Sequence, residues 1–132
     1  MQRVMAILRE HGIQATPQRI AVAKYVLATA AHPSADEVWE HVRQACPTLS
    51  RATVYNTLNL MVEKGLIKSQ VLKEGVVVFE PRVAAHHHFV DEETGRIYDV
   101  PWTALRVTGQ QALRDFEVKD YQVVLRGRKR RS

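Results

Sequence analysis

Cysteine is almost missing from this chain. Cys46 is the only one in 132 residues, so an internal disulfide and a zinc site built from four thiolates are both excluded. It stands before Pro47 in a stretch read as loop, and is taken as an ordinary residue. No apolar run approaches the roughly 20 residues of a membrane span, and the first residues lack the apolar core of a signal peptide. A soluble, cytoplasmic chain with no membrane partner is therefore expected. No HExxH pair, nucleophile elbow or phosphate-binding loop occurs, and there are no internal repeats. Acid is the scarcer charge, with 14 Asp and Glu against 19 Lys and Arg and a net charge of +5. An anionic partner follows, nucleic acid first.

The charge is unevenly spread. Residues 1–82 hold 10 basic and 7 acidic side chains, residues 83–125 hold 4 and 7, and residues 126–132 hold 5 basic and no acidic ones. A basic first half, an acidic middle and a basic tail suit two modules with different jobs. The tail could touch phosphates or merely solubilise the end of the chain.

The first half reads as helices. Val4, Ile7 and Leu8 have helical spacing, and Gly12 ends that segment. Thr16-Pro17 opens a second helix as cap and first turn, burying Ile20, Ala23 and Leu27. Ser34 with Glu37 forms a capping box for a third, which buries Val38 and Val42, with Trp39 a further candidate for its inner face. Ser50 caps a fourth, from Arg51 to Lys64, closed by Gly65. Its inner face is Val54, Leu58 and Met61. Its outer face is Ala52, Tyr55, Asn56 and Asn59, with Arg51 in the first turn; those hydrogen-bonding groups suit a major groove. Two short runs, 66–72 and 76–80, turn through Lys73-Glu74-Gly75. Helices followed by such a hairpin describe a winged helix-turn-helix over residues 1–81, with double-stranded DNA as its partner.

Residues 82–132 read differently. His86-His87-His88-Phe89-Val90 and Arg96-Ile97-Tyr98-Asp99-Val100 flank Glu93-Thr94-Gly95, which predicts a β-hairpin. Alternation puts His86 and His88 on one face and His87 on the other. Two imidazoles on one rigid face can hold a metal ion, although a solvated histidine cluster has the same composition. A helix over Trp102–Leu113 and a strand near Val123–Leu125 are expected next. The fold class is α+β, a winged helix followed by a small α/β unit that is too small to stand comfortably alone and should pair with a second copy.

The chain resembles the ferric uptake regulator superfamily over nearly its whole length. The matching stretches are Thr16-Pro17-Gln18-Arg19, His32-Pro33-Ser34-Ala35-Asp36-Glu37-Val38, Ser50 through Leu58, Phe79-Glu80 and His86-His87-His88. The resemblance implies a homodimeric, metal-dependent transcription regulator with a C-terminal dimerisation domain. It implies DNA contacts from Arg19, Ser50, Arg51, Thr53, Tyr55 and Asn56. It places the ligands of one regulatory metal on His32, Glu80, His86, His88 and Asp99, a mixed nitrogen and oxygen set suited to Fe(II), Mn(II) or Zn(II). Many relatives also hold a structural zinc with paired CxxC motifs. Here Asp91 and Thr94 stand in the first pair's places and the second pair is absent, so no such zinc is expected. An accessory metal site also looks lost, with Ala85 and Tyr121 where histidines would stand.

Three branches of the superfamily compete. Asp99, where iron-uptake regulators usually carry Glu, resembles the peroxide-sensing repressors, in which iron-catalysed oxidation of a ligating histidine releases DNA. His32 and His86 are then the oxidation sites. The haem-responsive iron regulators share the HHH run, the Asp-x-Pro step at Asp99-Val100-Pro101 and a basic ending, which makes His86, His87 and His88 candidate haem ligands. From another class, a metalloenzyme could use the same histidines, but it would need an open coordination position and a substrate pocket.

Overall fold

Helix capping does most of the local work in the first half of the chain. The computed structural model describes residues 2–73, 75–81 and 84–130, and the chain divides into two units, residues 1–83 and 84–132. In the first unit, α1 (Gln2–Glu10), α2 (Pro17–Val26), α3 (Ala35–Val42) and α4 (Arg51–Glu63) precede strands β1 (Ile67–Lys73) and β2 (Val76–Pro81). The Thr16 hydroxyl accepts from the Arg19 amide at 3.3 Å and opens α2 on Pro17. Ser34 and Glu37 form the full capping box of α3, at 3.2 and 3.0 Å, and Ser50 accepts from the Thr53 amide at 3.1 Å to start α4. Each cap satisfies backbone donors that a helix start leaves unpaired.

Two glycines close helices in the left-handed conformation: Gly12 at φ 73° and Gly65 at φ 79°. In both places the next amide reaches back five residues, Ile13 to Leu8 and Leu66 to Met61, each at 2.9 Å. The apolar stripes so oriented meet in one core, where Leu8, Val22, Val38, Val54, Leu58 and Met61 are fully buried. Burial of each such side chain contributes about 1.5–3 kcal/mol.

Strands β1 and β2 form an antiparallel pair, with Ile67 opposite Pro81 and an irregularity between Val71 and Lys73. Glu74, in the expected turn, lies outside the described residues. Strand β2 also bonds to the entrance of α3: the Phe79 amide donates to the Pro33 carbonyl at 2.9 Å, and Ser34 bridges Val78. This pairing sets the position of His32.

In the second unit, β3 (His86–Asp91) and β4 (Ile97–Pro101) form the expected hairpin, and β5 (Val124–Gly127) joins the other edge of β3 in parallel, giving the order β4-β3-β5. The hairpin turn is built on Asp91. One carboxylate oxygen accepts from the amides of Glu93 and Thr94 at 2.9 and 3.3 Å, while the Thr94 hydroxyl accepts from the Arg96 amide at 3.1 Å.

The helix expected over Trp102–Leu113 does not form. Two short 3-10 turns, Trp102–Ala104 and Gln110–Leu113, stand there instead. Neither carries a side-chain cap, Val107 and Thr108 are β-branched, and Gly109 breaks the segment at φ 97°. Within that stretch Trp102, Leu105 and Val107 are half-buried and Leu113 is exposed, and beyond it Phe116, Val118 and Tyr121 are exposed as well. Among the described residues, no helix is long and apolar enough to cross a membrane.

Candidate metal centre and nucleic-acid face

The first unit contributes a buried acid-imidazole pair. His32 is 5% exposed and Glu80 4%, with His32 Nε2 3.0 Å from Glu80 Oε2. Lys68 Nζ stands 3.7 Å from the other Glu80 oxygen. A carboxylate this deep needs charged or hydrogen-bonding partners: the bond from β2 to Pro33 places His32, and Lys68 faces Glu80 across the β1–β2 pair. His32 holds φ 53°, the only positive φ among described non-glycine residues. Left-handed backbone at a residue with a side chain costs on the order of 1–3 kcal/mol, and here it coincides with a functional candidate.

The second unit, taken by itself, holds the other three predicted ligands. His86 Nε2 lies 3.1 Å from His88 Nε2, and Asp99 Oδ1 lies 3.4 Å from the first and 3.7 Å from the second. Strand pairing explains the cluster, because His88 faces Asp99 across the β3–β4 ladder and His86 sits two residues away on the same face. The far nitrogens fix the tautomers. His86 Nδ1 donates to the Ala84 carbonyl at 2.9 Å, and His88 Nδ1 donates to the Gln122 side-chain oxygen at 2.9 Å. Each proton is thereby held on Nδ1, and both Nε2 lone pairs turn toward the same point beside a carboxylate. Lone pairs opposed at this distance call for a cation or proton between them, and outer hydrogen bonds of this kind orient metal-ligating histidines. The donor chemistry fits Fe(II), Mn(II) or Zn(II).

His87 has a different fate. It is buried against Trp102, with ring centroids 4.5 Å apart and planes 17° apart, and its Nδ1 accepts from the Val123 amide at 2.9 Å. Ligation through that nitrogen would break the bond that starts β5. Asp91 and Thr94 are hard oxygen donors engaged in the hairpin turn. Tyr121 packs on Trp102 at 4.8 Å.

On α4, Val54, Thr57, Leu58 and Met61 are buried, leaving Ala52, Tyr55, Asn56 and Asn59 outward, as the helical spacing requires. Arg19, Thr53 and Asn56 line a polar cleft of about 310 Å³ together with Gln14, Thr16, Gln18 and Thr57. Sequence reasoning missed Gln14 and Gln18; the signal available was their placement on either side of the Thr16-Pro17 helix start. Arg19 reaches back to the Gln14 carbonyl at 3.1 Å. The Ser50 hydroxyl is 2.9 Å from that of Thr53, so these two predicted contacts are linked by the cap. Arg51 turns toward α3, 3.9 Å from Asp36 and 4.5 Å above the Trp39 ring.

The profile of the ferric uptake regulator family matches residues 10–126. The peroxide-responsive repressor PerR of Staphylococcus aureus is 30% identical over 129 residues, 96% of this chain and 87% of its own length. The Campylobacter jejuni peroxide stress regulator superposes with a TM-score of 0.69 at 27% identity, covering 96% of both chains. A zinc-bound manganese uptake regulator has a TM-score of 0.74 and covers 96% of this chain and 98% of its own; at 23% identity that likeness speaks for the fold alone. With the profile spanning most of its length, the chain belongs to the ferric uptake regulator family.

Proposed function

We propose that this family member, a metal-responsive transcriptional repressor rather than an enzyme, senses peroxide. In this reading the first unit reads operator DNA through α4 and the second pairs two copies. His32, Glu80, His86, His88 and Asp99 together take one divalent metal, Fe(II) or Mn(II), with Zn(II) as a competitor and no structural zinc elsewhere. The observation that carries the metal reading is the opposed pair of Nε2 atoms on His86 and His88, 3.1 Å apart beside Asp99. The exposed Leu113, Phe116 and Val118 support pairing with a second copy.

Asp99 supports the peroxide reading. Its side chain is one methylene shorter than Glu, so its carboxylate approaches His86 and His88 only by staying close to β4. His86 is held there by the Ala84 carbonyl and His32 by β2, so both rings are kept in place as targets. Fe(II) held by these side chains would supply reducing equivalents to peroxide beside them. The named relatives, a peroxide-responsive repressor and a peroxide stress regulator, favour the same reading.

Anaerobic loading with Fe(II), brief peroxide and peptide mass spectrometry test it. One added oxygen on His32 or His86, with release of operator DNA, is expected. The Mn(II) form should stay bound, and Asp99→Glu should keep metal-dependent DNA binding while blunting the peroxide response. Unmodified His32 and His86 with DNA still held would leave an iron- or haem-responsive regulator. A Soret shift that disappears in His87→Ala would favour haem, against the covered position of that ring.

A further inference from the structure

Two arginines from different segments converge on one indole at the start of α4. The Arg43 guanidinium carbon lies 4.6 Å from the centre of the Trp39 ring and that of Arg51 lies 4.5 Å from it. The indole is itself fixed, because its N–H donates to the Leu49 carbonyl at 2.9 Å, immediately before the Ser50 cap of α4. Arg43 follows Trp39 by one helical turn, at the end of α3. Arg51 is the first residue of α4. Two like charges gathered on one ring repel each other, and each has an exposed acid nearby: Glu40 at 3.2 Å from Arg43 and Asp36 at 3.9 Å from Arg51. These side chains are about half exposed, so the ion pairs are weak and exchangeable.

We propose that Trp39, Arg43 and Arg51 form a clamp for the DNA backbone, with the indole as positioning residue and the two guanidinium groups as phosphate ligands. A guanidinium stacked on an aromatic face keeps its N–H edge outward, and that edge matches phosphate oxygens in a bidentate pair. The platform removes much of the rotamer freedom that a solvent-exposed arginine would lose on binding. The clamp sits at the N-terminal end of the helix whose outward Tyr55 and Asn56 are available to base edges, so it sets the register of that helix and leaves base discrimination to those residues. Arg51 on this view holds the backbone and does not read a base. Asp36 and Glu40 hold the arginines in the absence of DNA and yield to phosphate when it arrives.

The proposal rests on DNA reading by the first unit, and salt dependence separates the two. Affinity of the Mn(II)-loaded full chain for operator and for random duplex is measured across a salt series. Each phosphate contact contributes about 0.9 to the slope of log K against log salt on duplex DNA. Arg43→Gln and Arg51→Gln should each lower that slope by about 0.9, equally for both duplexes, so that the ratio of operator to random affinity is unchanged. Trp39→Phe should keep the slope, because the ring remains while the N–H is lost. Trp39→Leu should lower it toward that of the double arginine variant. Asp36→Asn should raise affinity for both duplexes, an effect opposite in sign to that of a damaged fold. If Trp39→Leu unfolds, the two arginine variants, whose side chains are exposed, decide alone. Unchanged slopes in both arginine variants, or a loss confined to operator, would overturn the clamp while leaving α4 as the reader. A wild-type chain that binds neither duplex would overturn both.

Discussion

The two units bury their apolar side chains by unequal means. In the first, four helices and a strand pair converge on a continuous aliphatic core. In the second, the buried hydrophobic side chains among the described residues are Val90 and Ile97, and the other buried positions are His87, His88 and Asp91. The first unit therefore draws its stability from the apolar area it removes from water. The second relies on polar side chains whose hydrogen bonds are satisfied and on stacked rings. Polar interiors hold only while their partners are present, so the unit short of aliphatic core is the one suited to responding to a ligand.

The largest expected effect bears on that contrast. His86→Ala or His88→Ala should abolish tight metal binding in a competition titration with a chromophoric chelator, and Gln122→Leu should weaken it by about 10–100-fold by freeing the His88 ring. His87→Ala should leave metal affinity nearly intact while destabilising the second unit, since it empties the face of Trp102. Equal loss from all three histidine variants would mean that the strand faces do not separate ligand from core.

The two apolar surfaces give the next test. Leu58→Ala should cost about 2–5 kcal/mol in denaturant unfolding, whereas Leu113→Ser with Phe116→Ser should cost the isolated protomer under about 1 kcal/mol and instead dissociate the proposed dimer in sedimentation velocity. A variant pair that sediments as wild type would remove this surface as the pairing face. Smaller again, Asp91→Ala should cost about 1–3 kcal/mol by leaving the Glu93 and Thr94 amides without their acceptor. That loss should be unchanged by a zinc chelator, because the turn is closed by hydrogen bonds. The smallest effect belongs to Cys46→Ser, expected within about 0.5 kcal/mol of wild type and with the same response to peroxide.

Contiguous residues were enough for most of the first unit. Thr16-Pro17, the Ser34 and Glu37 box, Ser50, Gly12 and Gly65 act within one helical turn, so their physics is written beside them in the chain. The faces of α4 and of β3 were legible for the same reason, because a fixed period decides them. Tertiary structure decided the rest. Spacing suggested a helix at residues 102–113, and two uncapped 3-10 turns separated by Gly109 stand there instead. That β5 runs parallel to β3 follows from pairing across more than 30 residues, as does the bond from His87 to Val123. The left-handed backbone of His32 is imposed by β2 from the far end of the unit. The gathering of Arg43 and Arg51 on Trp39 has no local signature, since two of its members sit on one helix and the third on the next. Short-range hydrogen bonds and periodicity are properties of neighbours in sequence, whereas strand partners, strained backbone and stacked charges depend on which distant segments meet.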